Sequence, residues 1–340
     1  MKINVSAIQM PSKANSTQEN LEQAHDLIER ATKAGAQLVL LPELFGQGYD
    51  LSYQSWNGAE PIDGPIINWM KQTSRFYNVY IGGTVLIAEN GHFHNSFVLT
   101  NPKGRIQGRV DKQWPAGVEG FLFKGGSPDR VDNHIIQTPF GPIGIGICYE
   151  NFRSDLLQYF KEHQVRLVLM PYSFPKMNSP WSPRPLSGTD IGKFYAQQIG
   201  SPIVVTHKVG AWTSQTILTG NETLVGRFPG TSAIINGKGE TVDVLGTETG
   251  FAIGHVALTT APDQNDAYQY AGQHIAPLVK QSLPGIRGLL TRMASTVQNH
   301  LNKPSLVDSA REHYDNNEKR RQIAERIEHS ETHAATFSSP

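Results

Sequence analysis

Apolar positions recur in two rhythms along the first 260 residues or so, and the rhythms alternate. Residues 3–9 switch between apolar and polar side chains, the pattern of a strand. In 17–34, Leu21, Ala24, Leu27, Ile28 and Ala31 share one helical face, with Ser16 placed to cap the start and Gly35 to stop it. Gln37-Leu38-Val39-Leu40-Leu41 is then unbroken apolar sequence, as expected of a strand buried on both faces. This strand–helix–strand opening predicts an α/β fold, a sheet with helices packed on it. The helical rhythm returns over 66–76. Residues 79–88, 94–100 and 105–111 predict three strands, separated by turns at Glu89-Asn90-Gly91 and Asn101-Pro102-Lys103-Gly104.

The second half repeats the alternation from about residue 130. Residues 135–138 and 142–147 predict a hairpin around Phe140-Gly141, in which Ile143, Ile145 and Ile147 alternate with glycines. That reads as a buried strand whose glycine face admits close packing. A helix through Leu156, Leu157 and Phe160 follows, then a strand at 166–170. The pattern continues with a helix at 187–199 and strands at 202–207, 231–236, 241–245 and 250–256. Past Pro262 the chain turns polar and histidine-bearing, which divides it into a domain at 1–262 and an extension at 263–340. Helices are predicted there at 286–301 and 305–328. The second carries only a narrow apolar stripe (Leu306, Ala310, Tyr314, Ile323 and Ile327), suited to lying on a partner subunit or to a solvated tail. Residues 329–340 read as disordered.

Composition narrows the function classes. Lys plus Arg total 30 and Asp plus Glu total 30, so the chain presents no field that would draw nucleic acid or an anionic membrane. No stretch approaches the roughly 20 apolar residues of a membrane span. Met1-Lys2-Ile3-Asn4-Val5 enters a strand without the apolar core of a signal peptide. The single cysteine excludes an intrachain disulfide and fits a reducing compartment, so a cytoplasmic location is expected. Among 12 histidines the close pair is His92-x-His94, at a strand start, so neither a metal nor a cofactor is expected.

Three side chains change this picture, because each follows a strand at its carboxyl end, the edge where such sheets bind ligands. Glu43 stands just past Leu41-Pro42, Lys112 ends the third strand of the 79–111 group, and Cys148 ends the glycine–isoleucine strand. Singly, each has an ordinary reading: a capping carboxylate, a solvated lysine, a small buried hydrophobe. Together they are complete for acyl transfer. A cysteine on a strand-to-helix turn supplies the nucleophile for a carbonyl or nitrile carbon. A glutamate can take its proton and later activate water. A lysine, with a backbone amide after the cysteine, can stabilise thiolate and oxyanion. The loops at the same edge carry Tyr49, Trp114, Tyr149, Tyr172 and Phe174, candidate substrate-binding residues for a partly apolar small molecule.

Leu40-Leu41-Pro42-Glu43, Asn95-Ser96 through Gly104 to Lys112, Gly144-Ile145-Gly146-Ile147-Cys148-Tyr149-Glu150 and Gly230-Thr231-Ser232 occur in the order of the nitrilase superfamily of carbon–nitrogen hydrolases, which the chain resembles over about 1–260. The resemblance implies an α-β-β-α sandwich, paired face to face into a four-layer α-β-β-α-α-β-β-α homodimer. It implies a Glu43–Lys112–Cys148 triad, and it matches Glu119 to the family's second glutamate, which positions substrate and assists proton transfer. Gln113-Trp114 and Gln197-Gln198 depart from common family patterns. Cys148-Tyr149 is similar to amidase-type branches, whereas Glu150-Asn151 is similar to nitrilases. The expected activity is hydrolysis of a small amide through a thioester, with a nitrilase as the alternative. From another class, a silent scaffold protein is the further alternative.

Overall fold

In the computed structural model, residues 1–89, 91–125, 133–177, 187–216 and 223–258 are described, together with the backbone of 270–271 and 274–275. The helices and tail predicted within 276–340 lie outside the described residues. The first part of the chain forms β1 (Lys2–Gln9), α1 (Thr17–Lys33), β2 (Leu38–Leu40), α2 (Pro65–Tyr77), β3 (Tyr80–Glu89), β4 (His92–Thr100), β5 (Ile106–Asp111) and the single turn α3 (Glu119–Leu122). The second part forms β6 (Ile135–Thr138), β7 (Gly141–Ile145), α4 (Ser154–Glu162), β8 (Leu167–Pro171), β9 (Lys176–Met177), α5 (Gly188–Ile199) and β10 (Ile203–Thr206). β11 (Val209–Gln215), β12 (Thr223–Pro229), β13 (Ala233–Ile235), β14 (Thr241–Val244) and β15 (Gly250–Ala257) complete it.

Two six-stranded sheets result, in the orders β15-β1-β2-β3-β4-β5 and β14-β13-β10-β8-β7-β6. β1, β2 and β3 run parallel, and so do β7, β8 and β10, while the outer strands pair antiparallel. The period-two pattern decides what each face meets. Val5, Ala7, Leu38, Leu40, Phe97 and Leu99 of the first sheet join Ile143, Ile145, Leu167, Leu169 and Val204 of the second in one core. The opposite face of the first sheet, with Val39, Ile81, Val85 and Val98, packs on Leu27 and Ile28 of α1 and Ile66, Ile67 and Met70 of α2. Each such fully buried side chain contributes about 1.5–3 kcal/mol. α4 and α5 cover the far side of the second sheet, giving the expected α-β-β-α sandwich. The glycine face of β7 has the predicted purpose: a Cβ on Gly144 would stand 3.0 Å from the Phe160 ring of α4.

A third sheet, β11-β12-β9, was not expected from the sequence. In β12, Thr223, Val225 and Arg227 face solvent while Gly226 and Phe228 turn inward, and a glycine leaves no apolar mark at its position. This sheet braces the loop before α2. Trp212 Nε1 donates to the Tyr49 carbonyl at 2.8 Å, and the Leu51 amide donates to Ser214 Oγ at 2.8 Å. No helix among the described residues is long and apolar enough to cross a membrane.

Candidate active site

The first sheet delivers three charged side chains to one dry point. Glu43 follows β2 across Pro42, and the next residue, Leu44, is left-handed at φ 47°, held by its amide donating to Thr84 Oγ1 at 2.6 Å. Lys112 directly follows β5, with its amide bonded to the Asn95 carbonyl of β4 at 2.8 Å. Glu119 opens α3. Lys112 Nζ donates to Glu43 Oε1 and to Glu119 Oε2, both at 2.7 Å, and none of the three side chains is exposed. Asn95 Nδ2 adds a bond to Glu43 Oε1 at 2.8 Å, while Glu43 Oε2 has no hydrogen-bond partner. Glu119 also accepts from the Ala116 amide at 2.8 Å and from the Tyr49 hydroxyl at 2.7 Å.

Burial pushes the Glu43 carboxyl above its ordinary range, with Lys112 opposing and Glu119 reinforcing. Burial alone would lower Lys112, but the carboxylates of Glu119 and Glu43 outweigh it and hold the ammonium well above its usual value. Lys112 is therefore held as a positive charge, and Glu43 keeps one oxygen, Oε2, free of hydrogen bonds.

The second sheet delivers Cys148 through a strained turn. Its φ is 55°, a conformation in which non-glycine residues cost of order 1–3 kcal/mol and which persists only where the surroundings enforce it. Two neighbours do so. Asn151 Nδ2 donates to the carbonyls of Gly146 at 2.9 Å and Cys148 at 3.1 Å, and any side chain on Gly146 would overlap the Asn151 amide. The Glu150 carboxylate, fully buried, accepts from the Ile147 amide at 2.9 Å and from the Gln113 amide at 2.6 Å, and contacts His134 Nε2 at 3.2 Å. It thus ties the turn before Cys148 to the segment after Lys112. Burial, then the Glu43 charge, raises the Cys148 thiol well above its usual value, while Lys112 and a hydrogen bond from the Ser173 amide oppose them. The sulfur rests as a thiol within the field of Glu43, Lys112 and Glu119. The arrangement can move a proton from sulfur to Glu43 as the sulfur attacks an electrophilic carbon.

The structure thus gathers Glu43, Lys112, Glu119 and Cys148, and distributes the five aromatic residues less evenly. Tyr49 is buried, its hydroxyl engaged by Glu119 and its ring beside Trp212 and Phe228. Trp114 is buried between His134 and the Arg153 guanidinium, which lies 3.9 Å from the Trp114 ring centre. Tyr172 is buried and stacked on His207 with ring centres 4.8 Å apart. Tyr149 is half-buried beside Phe152, and Phe174 is 43% exposed, so these two keep ring surface on the outside. Asn95, quoted from sequence within the Asn95-Ser96 stretch, was given no role there, and Lys208 was not singled out. The available signal for Asn95 was a polar residue between Phe93 and Phe97 on one buried face of β4. Lys208 stands directly after the strand predicted at 202–207 and so carried the same strand-end signal as Lys112.

The two sheets of the α-β-β-α sandwich thus bring a cysteine, a lysine and two glutamates together. Residues 4–263 match the family described as carbon–nitrogen hydrolase, and the chain belongs to that family of enzymes. Among curated relatives, omega-amidase NIT2-B of Xenopus laevis is 28% identical over 169 residues, covering 48% of this chain and 60% of that protein. A protein named nitrilase from Pyrococcus abyssi is 29% identical, covering 44% and 57%. The chain therefore spans about 60% of the length of these relatives. A carbon–nitrogen hydrolase from Helicobacter pylori G27 shares the fold at a TM-score of 0.63 and 18% identity, over 76% of this chain and 90% of that one. A mutant of the Nesterenkonia AN1 amidase does so at 0.61 and 17%, over 85% and 97%.

Proposed function

We propose that the protein hydrolyses a small amide through a thioester on Cys148. Glu43 takes the thiol proton as sulfur attacks the carbonyl carbon, and Lys112 stabilises the negative charge on the resulting tetrahedral oxygen. Collapse breaks the carbon–nitrogen bond. The nitrogen leaves as ammonia or an amine, carrying the proton from Glu43, and R–CO–S–Cys148 remains. Glu43 then activates water, which attacks the thioester to release the acid and restore the thiol. Glu119 orients Lys112 and the substrate. Tyr149 and Phe174 line the apolar side of the entrance, and Tyr172 and Trp114 act behind it.

The observation that carries this reading is the unpartnered Glu43 Oε2, with Lys112 fixed on the other oxygen and the Glu43 charge acting on a buried thiol. The names of the matched relatives, omega-amidases foremost, favour an amide over a nitrile. The reading takes 1–262 as the hydrolase domain and 263–340 as an extension. From the family resemblance it also takes a face-to-face homodimer, in a cytoplasmic setting. Ammonia release from a mixed panel of amides and nitriles, with Cys148→Ala as control, tests it. Release from amides that vanishes in the variant is expected. Release from nitriles alone selects the nitrilase, and undiminished release in the variant contradicts the mechanism.

A further inference from the structure

Cys148, Tyr172 with Ser173, and His207 with Lys208 follow β7, β8 and β10, which run parallel, so all emerge at one edge. Lys208 is among the largest fully buried side chains of the protein. Its Nζ donates to the Leu44 carbonyl at 3.1 Å and lies 5.6 Å from the Phe228 ring centre, and neither partner carries a full charge. A buried ammonium with neutral partners is costly unless opposite charge stands near. That charge is at hand: Glu43 and Cys148 both act on Lys208 in the direction that favours its protonated form. Leu44, whose carbonyl it holds, is the left-handed residue directly after Glu43.

The site also lacks a positive charge without it. Glu43 and Glu119 are two carboxylates against the single ammonium of Lys112, all without exposed surface. Arg153 is already committed to Asp155 and to the Trp114 ring.

We propose that Lys208 is a positioning residue for the acid–base pair: its ammonium fixes the Glu43–Leu44 turn through the Leu44 carbonyl and supplies a second positive charge acting on Glu43 and Cys148. With its ammonium turned to the Leu44 carbonyl, it acts through the turn that carries Glu43. The inference rests on the reading of Glu43 as base and Cys148 as nucleophile. The titratable groups around the pair are Lys112 after β5, Glu119 of α3, Tyr49 of the braced loop, Cys148 after β7, Tyr172 after β8 and His207 beside Lys208 itself. Burial lowers His207 to about 3, so it stays neutral, and it lowers Lys208 to about 7 against the pull of Glu43 and Cys148. A charged Lys208 favours ionised Glu43 and the thiolate. Its removal raises both groups.

Cys148 is the only cysteine, so the mass gained with iodoacetamide reports that site alone. Alkylation rates from pH 6 to 9 are compared in full-length wild type, Lys208→Met, Lys208→Gln and Lys208→Arg, each checked for folding by circular dichroism. At pH 6, where Lys208 is charged, the two neutral variants should react about tenfold more slowly, equal to an upward shift of about one pKa unit; the gap should close as pH rises past about 7 and Lys208 loses its proton, while arginine keeps the rate high throughout. With an amide that is turned over, the acid limb of kcat/KM should move up by the same amount and KM should hardly change. The Gln variant carries the test if the Met variant does not fold. Superimposable alkylation and pH profiles in wild type and the neutral variants would overturn the proposal while leaving amide hydrolysis intact. Slowed alkylation in a protein that hydrolyses no amide would support Lys208 and count against the function instead.

Discussion

The two sheets serve the same site in different ways. The first presents Glu43, Lys112 and Glu119 from ordinary strand ends and one helical turn, and holds them by pairing them with one another. The second presents Cys148 from a left-handed turn that pairs with none of them and is held from behind by Asn151 and Glu150. Charge fixes one half and backbone geometry fixes the other. The buried carboxyl of Glu150 joins them, since it binds amides on both sides of the gap, at Ile147 and at Gln113.

Variants that attack each half should separate these two kinds of support. Cys148→Ala removes the nucleophile without touching the charges. Turnover should fall by about a millionfold, as when a covalent nucleophile is deleted from a well-measured protease, with the melting temperature little changed.

Lys112→Met should do the reverse, leaving two carboxylates buried without a counter-charge. We expect a stability loss of about 3–5 kcal/mol at pH 7 by urea titration. The loss should shrink as pH falls, because protonating Glu43, whose carboxyl burial already raises, removes the repulsion. A loss independent of pH would mean that the trio is not held by charge.

Asn151→Ala leaves the Gly146 and Cys148 carbonyls without their donor, at a cost of about 1–3 kcal/mol. It should slow alkylation of Cys148 while leaving intact the pH dependence of stability set by the charged trio.

Tyr49→Phe deletes one donor to Glu119, a bond to a charged group worth about 1.5–3 kcal/mol, so kcat should fall by about ten- to a hundredfold if that bond is made in the transition state.

The smallest effect lies away from the site. Glu60 accepts from the Ile66 and Ile67 amides at the start of α2, and burial lifts its carboxyl to about 7. Its folded-state value therefore exceeds its unfolded value, so the folded protein binds the proton more tightly and this group's contribution to stability falls as pH rises from about 4.5 to 7. Glu60→Gln should flatten that part of the melting-temperature profile.

The sequence and the structure agree best where periodicity carries the information. Leu21 to Ala31 in α1, the apolar run of β2 and the alternation of Ile143 to Ile147 each mark an element and the face it buries. Glu43, Lys112 and Cys148 were legible because each is a rare chemistry at a strand end. Long-range pairing was not. Nothing local to Tyr49 shows that its hydroxyl will meet Glu119, 70 residues later in the chain, so the aromatic residues read as a substrate wall when three of them are packed into the frame. Lys208 also stands at a predicted strand end, but nothing local showed that its ammonium would meet the Leu44 carbonyl, 164 residues away. The β11–β12 hairpin was missed because its inward positions include Gly226, which has no side chain to register.

Hydroxylamine supplied alongside water tests the central claim most directly, because it intercepts a thioester to give a hydroxamate. With an amide from which the protein releases ammonia, the account predicts hydroxamate from wild type and none from Cys148→Ala. Ammonia release without hydroxamate, or hydroxamate undiminished in the variant, would contradict it.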